Sequence, residues 1–215
     1  MPALYAPYLL RPSFLGLLPH ARRPLPSYLS WRVEDDDELP TLQAVFEALP
    51  DSVGFDIEVK MAVPSSVERT PDEEVERMLN SILPVVEQCA ASSSRTILFS
   101  SFDPEVCTAL SERLLAQPRP YPVMFLSECG SSPHCDPRRM STGAAVEFAG
   151  AHGLAGVVVP AAVLKAQPEL MQLAAGRGLK VLTYGGENSS AEVVQWQCSV
   201  GVHAAIVDDI AAVLR

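Results

Sequence analysis

The sequence predicts an α/β fold built on parallel strands, and three observations predict it. From residue 40 onward, short apolar runs alternate with stretches of helical periodicity. The runs TILF, VMFL, GVVV, KVLT and AAIV are almost continuously apolar, the pattern of strands covered on both faces. Helices fall between these runs, and strands joined through helices pair in parallel by right-handed crossovers. A closed barrel and a doubly wound open sheet both satisfy this pattern.

The elements follow in chain order. Leu42, Val45, Phe46 and Leu49 recur at helical spacing behind Pro40 and Thr41. Residues 54–61 then read GFDIEVKM, with Asp56, Glu58 and Lys60 on one face of a strand and Phe55, Ile57 and Val59 on the other. Two settings suit that alternation. One is an edge strand whose charged face meets water. The other is a strand whose charged face lines a barrel or cleft, where a carboxylate needs a cation or hydrogen-bond donors beside it.

In RTPDEEVERMLNSILPVVEQCA, residues 69–90, Thr70 is the expected cap, Pro71 the first helical residue and Glu73 the partner in a capping box. Val75, Met78, Leu79, Ile82 and Val86 form the apolar stripe, and Pro84 is expected to kink the helix or end it early. A strand over 96–101 is followed by a helix started at Asp103 and Pro104, carrying Val106, Leu110 and Leu114. Tyr121–Leu126 is the next strand, and a Ser-, Pro- and Cys-rich loop covers 127–140. Ser141 opens a helix through Ala145 and Phe148 that closes near Gly153, before a strand at 156–160. A helix around Glu169–Ala175 stops at Gly176 or Gly178, and strand 180–185 leads to a helix from Ser190 to Val200 ending at Gly201. Residues 204–209 are the sixth strand, and IAAVLR begins a last helix.

Polar residues gather where these strands end: Glu58 and Lys60, Ser100 and Ser101, Ser127 and Glu128, Tyr184 with Asn188, and Asp208 with Asp209. A parallel barrel carries its active site at the carboxyl ends of its strands, so this clustering favours a shared polar mouth. No Gly-rich phosphate fingerprint follows any strand, which weakens the open nucleotide-binding sheet.

Composition bounds the function. The 215 residues are 48% apolar, and 26 acidic against 16 basic side chains give a net charge of −10. That balance excludes nucleic acid and an anionic membrane surface as natural partners. An anionic substrate would need a bound cation or a few placed basic groups. The five cysteines are odd in number and lack a C-x-x-C pair, which fits reduced thiols in the cytosol. Cys135 stands beside His134 and Asp136 in SPHCDP, but three adjacent residues do not converge on one ion without partners elsewhere. The first 20 residues hold four prolines and Arg11, so they read as neither a membrane span nor an export signal, and the expected location is cytoplasmic. The acidic run EDDDE at 34–38 reads as a solvated loop; residues 1–38 are expected to be an irregular segment and 39–215 the folded domain.

The strings LPTLQAVFEALPDSVGFDIEVK, RTILFSSFDPEVCTAL, YPVMFLSECG, LAGVVVPAAVL, GLKVLTYGGEN and GVHAAIVDDI occur in that order over residues 39–210. Their succession resembles the catalytic barrel of glycerophosphodiester phosphodiesterases, most of all the fungal and animal glycerophosphocholine-cleaving branch. The resemblance implies a TIM-type (β/α) barrel that hydrolyses a small glycerol phosphodiester to sn-glycerol 3-phosphate and an alcohol such as choline, in glycerophospholipid metabolism. It implies a divalent ion, calcium or magnesium, held by carboxylates, with Glu58 as a metal ligand and Lys60 beside the substrate phosphate. Asp56 stands where the family carries Asn, which makes it a hydrogen-bonding neighbour of that pair. The family's opening His-Arg-Gly and the later His-Asp, which supply the acid–base histidines, have no counterpart in this sequence. His20, in PHARRP, has the Arg and Gly misplaced and is not read as catalytic. The expectation is therefore an incomplete barrel, with about six of eight strands and the first two missing. It carries no complete catalytic set and is inactive alone, with exposed edges that favour self-association. The alternative is a non-catalytic remnant acting as a binding or interaction module.

Overall fold

The computed structural model describes residues 39–214 apart from 92, 116, 118 and 119. The described residues fall into two compact units divided between Leu49 and Pro50. The first contains α1 (Leu42–Ala48), whose start is capped by Thr41 Oγ1 accepting from the Ala44 N–H at 3.1 Å. The predictions for residues 1–38 lie outside the described residues.

The second unit is a six-stranded, wholly parallel sheet in sequence order: β1 (Phe55–Glu58), β2 (Ile97–Ser101), β3 (Val123–Leu126), β4 (Gly156–Pro160), β5 (Lys180–Tyr184) and β6 (Ala204–Ala205). Between them run α2 (Asp72–Ala90), α3 (Pro104–Leu115), α4 (Thr142–Ala151), α5 (Ala161–Ala166), α6 (Leu170–Ala175) and α7 (Ala191–Ser199), with α8 (Ile210–Val213) after β6. Consecutive neighbours in a parallel sheet curl into the wall of a TIM-type barrel. Here the curl is a half-barrel, because among the described residues β1 pairs only with β2 and β6 only with β5.

One sheet face is covered by helices and carries Phe99, Phe125, Val157, Val159 and Val181, all essentially sealed from solvent. Burying each of these side chains contributes about 1.5–3 kcal/mol. The opposite face carries Met124, Leu126, Val158 and Leu182, with Leu98, Phe102, Ala155 and Tyr184 packed against them. At Gly156 any side chain is excluded, since a Cβ would stand 2.1 Å from the Lys180 carbonyl oxygen on the neighbouring strand.

Three local expectations change. Pro84 lies inside α2 without ending it, because Leu79 and Leu83 before it and Val86 and Ala90 after it are buried on one stripe and hold the helix through the lost hydrogen bond. Thr70 does not cap α2: Pro71 takes the cap position, and the Thr70 hydroxyl instead donates to the buried Asp103 carboxylate. The sixth strand is also shorter than predicted, at two residues. No helix among the described residues is long and apolar enough to cross a membrane.

Candidate functional site

The faces of the sheet follow from one hydrogen bond. Ser100 Oγ donates to Asp56 Oδ1 at 2.7 Å, so Asp56 shares the face of Leu98 and Ser100, the one opposite the helices. Strand alternation puts Glu58 and Lys60 on that face with it. Lys60 Nζ stands 3.7 Å from Glu58 Oε1, the ion pair that a Glu and a Lys two residues apart on one face should make.

These two side chains are open, with the Glu58 side chain 39% and the Lys60 side chain 77% exposed. Of the two settings weighed for GFDIEVKM, this exposure matches the edge strand whose charged face meets water: among the described residues β1 is the edge of the sheet. Burial of part of Asp56 raises its carboxyl above the ordinary range; the Ser100 hydrogen bond opposes this and the neighbouring Glu58 charge adds to it.

The other polar strand ends divide into two kinds. Ser101 Oγ donates to the Val59 carbonyl at 2.7 Å and stitches the ends of β1 and β2 together. Asn188 is fully buried, where its Nδ2 donates to Ile206 O at 2.9 Å and its Oδ1 accepts from Gln197 Nε2 at 2.7 Å. It therefore braces β6 against α7 and is not part of an open mouth. Asp209 caps α8, its Oδ1 accepting from Ala212 N at 3.1 Å. Glu128, by contrast, turns toward the end of the sheet and pairs with Arg139 at 3.3 Å.

Arg139 is delivered there by the loop 127–140. Its carbonyl accepts from Gly130 N at 3.0 Å and from Ser127 Oγ at 3.4 Å, which closes the loop on itself. Gly130 has φ +81°, and a Cβ would lie 2.4 Å from the Met140 carbonyl oxygen, so only glycine permits this closure. The Arg139 guanidinium sits 5.6 Å above the Phe102 ring, and Phe102 meets Tyr184 edge-on at 5.8 Å. The β1–β2 register ends at the Glu58–Ser100 pair, and Lys60 and Phe102 each follow two residues later in their own segments.

The string SPHCDP does not converge on an ion. Asp136 Oδ1 accepts from Arg138 N, Arg138 bridges Asp136 and Glu105 at 2.8 Å each, and Cys135 is exposed. His134 instead turns its ring toward Arg139. Arg139 was not singled out in the sequence, and His134 was weighed there only as part of SPHCDP; the fold-back at Gly130 brings the two together.

Among the described residues no three His, Cys, Asp or Glu side chains gather as a metal site. Asp56 and Glu58 alone fall short of the six or more oxygens that calcium takes, or the octahedral shell of magnesium. The described residues do not by themselves make a divalent-ion site.

A parallel β/α half-barrel with its charged groups at the carboxyl ends of the strands defines a TIM-type protein with its site at that rim. The model of the glycerophosphoryl diester phosphodiesterase family matches residues 19–212, and the chain belongs to that family. It is 36% identical over 179 residues to the glycerophosphocholine phosphodiesterase GDE1 of Eremothecium gossypii, covering 81% of this chain and 13% of that protein. It is 39% identical over 177 residues to the GDE1 of Candida albicans, covering 80% and 15%. With the glycerophosphodiester phosphodiesterase GDPD2 of Arabidopsis thaliana it shares 33% over 187 residues, covering 87% and 48%. The chain thus spans about half the length of the plant relative and a far smaller share of the fungal ones. A glycerophosphodiester phosphodiesterase structure from Thermotoga maritima superposes with a TM-score of 0.52 at 16% identity, covering 81% of this chain and 62% of that one. A Galdieria sulphuraria structure assigned to the same class gives 0.58 at 15%, covering 95% and 76%. These two likenesses establish the barrel fold.

Proposed function

We propose that this chain carries the carboxyl-terminal part of a glycerophosphodiester phosphodiesterase barrel and presents the side of the site that receives the phosphate of a small glycerol phosphodiester such as glycerophosphocholine. The observation that carries this reading is the Glu58–Lys60 pair, 3.7 Å apart on the helix-free face at the carboxyl end of β1. Lys60 attracts the phosphate as a point charge on an exposed, mobile stem. Glu58 is the carboxylate that would reach toward a calcium or magnesium ion at this rim; the described residues alone do not complete such a shell.

The chain by itself binds and does not turn over. Its sequence contains no His-Arg-Gly and no His-Asp string, and losing an acid–base group removes about 10²–10⁴-fold in rate. That observation favours the second reading, a binding module, for this stretch alone. Assaying choline and glycerol 3-phosphate release from glycerophosphocholine, with calcium and with magnesium, separates the two. The expected result is no release above background. Metal-dependent release that Glu58→Gln abolishes would contradict the binding-module reading and make this chain an enzyme in its own right.

A further inference from the structure

The His134 ring lies between two donors. Asp136 N–H points at Nδ1 from 3.0 Å, and Arg139 Nη1 stands 3.0 Å from Nε2. A neutral imidazole carries one N–H and one acceptor nitrogen. If Nδ1 accepts from Asp136, the ring proton is on Nε2 and faces the guanidinium, donor against donor. Burial and the Arg139 charge both push the His134 pKa down, so the ring is neutral near pH 7 and adding a second proton makes the conflict worse.

Arg139 has donors to spare. Of the five guanidinium N–H groups, the contacts among the described residues are Nη2 to Glu128 and Nη1 to His134, while Nε is buried with no partner. The carboxylates nearby are committed elsewhere: Asp136 to Arg138 and its own turn, Asp103 to Thr70 and the first N–H groups of α3. Among the described residues, Glu128 is the carboxylate paired with Arg139, at 3.3 Å. The Arg139 and Glu128 side chains are 16% and 15% exposed, so this pair is partly shielded from water while one edge stays reachable.

We propose that Arg139 and His134 form an anion subsite at the rim of the half-barrel, in which a phosphate oxygen accepts from Arg139 Nη1 and His134 Nε2 together. One acceptor between the two nitrogens turns a donor–donor contact into two charge-assisted hydrogen bonds. The ligand class is a phosphate ester, and the inference rests on the reading that this rim receives a glycerol phosphodiester. Phe102, just past the end of β2, places the subsite, since its ring carries the Arg139 guanidinium at 5.6 Å. Glu128 competes with the ligand for the same guanidinium, which gives the subsite a signature that a loop staple lacks.

Calorimetric titration of glycerol 3-phosphate, glycerophosphocholine and inorganic phosphate into the full chain tests this, with Arg139→Gln and Glu128→Gln as variants. Arg139→Gln should weaken glycerol 3-phosphate binding by about tenfold or more, and Glu128→Gln should strengthen it severalfold. The His134 ring signals, assigned by their loss in His134→Gln, should move when glycerol 3-phosphate is added to the unsubstituted chain. Inorganic phosphate matching glycerol 3-phosphate would assign the subsite to the phosphate group itself; tighter binding of the esters would extend it to the glycerol. If Arg139→Gln misfolds, Glu128→Gln and the His134 signals still decide. Binding unchanged in both variants, with His134 silent, overturns the subsite; a Lys60→Ala loss in the same series would then leave the reading of the Glu58–Lys60 pair standing. No binding of any of the three anions overturns both.

Discussion

Asp56 and Ser100 are joined across the first two strands by a 2.7 Å hydrogen bond, with the hydroxyl donating to the carboxylate. An amide oxygen can accept the same bond, and it would remove the repulsion between Asp56 and Glu58. Because the folded-state pKa of Asp56 is raised above 3.8, its ionisation opposes folding progressively as the pH rises from 3.8 and in full above the folded value. Asp56→Asn should therefore be as stable as the original chain or more so at pH 7, by about 0.5 kcal/mol or less at so open a site. The difference should close below the ordinary carboxyl pKa of 3.8. Urea unfolding at pH 7 and pH 3.5 measures both ends, and a net loss at pH 7 contradicts the assignment.

Asn188 should be costly to remove. Its side chain bonds Ile206 O, Thr183 Oγ1 and Gln197 Nε2 in a fully buried cluster. Asn188→Ala leaves Gln197 Nε2 without this acceptor in a buried site, at about 1–3 kcal/mol, while Thr183 Oγ1 keeps its bond to Gln197 Oε1. A loss of about 2 kcal/mol or more in denaturant unfolding, with amide exchange accelerated in β6 and α7 first, is the expected result.

The depressed pKa of His134 sets a pH window. A group whose folded pKa lies below its unfolded value contributes stability that is complete above the unfolded pKa, here 6.5, and is lost as the pH falls from there toward the folded pKa. Stability should therefore decline below pH 6.5, and His134→Gln should flatten that part of the profile. Thermal unfolding between pH 7.5 and 5.5 checks the slope. A ligand that accepts from the ring should raise the pKa and shrink the effect.

The cysteines should separate by environment. Burial pushes the Cys129 thiol up to about 11, the fully buried Cys107 is displaced further in the same direction, and Cys135 and Cys198 are exposed. Thiolate availability governs alkylation. Mass spectrometry after brief iodoacetamide treatment of the folded chain should find Cys135 and Cys198 modified, Cys89 slower, and Cys107 and Cys129 protected. Early labelling of Cys107 would contradict the packing of α3 on β2 and β3.

Much of this architecture was legible because the information is local. Strands such as GVVVP and KVLTY declare themselves by unbroken apolar runs, and the alternation of Asp56, Glu58 and Lys60 fixes their common face without any knowledge of tertiary structure. Which of the two settings that face would take was not decided by the alternation, since it depends on what lies beside β1, an edge strand among the described residues. Asn188 was misplaced for a related reason: a polar residue after a strand looks the same in sequence whether it opens to a cavity or closes a buried network. Pro84 was read by its local penalty, whereas the buried stripe on either side outweighs it. The meeting of Arg139 with His134 stayed hidden because it depends on a loop closure whose two ends are nine residues apart, from Gly130 to Arg139.

The central claim is that the basic end of the charged row on β1 faces an anionic substrate. Its most direct test is the affinity of the chain for glycerol 3-phosphate when Lys60→Ala is set against Lys165→Ala, an exposed lysine on α5 that changes the net charge equally. A loss of about tenfold or more is expected for Lys60→Ala and none for Lys165→Ala. Equal affinity in the two variants would contradict it.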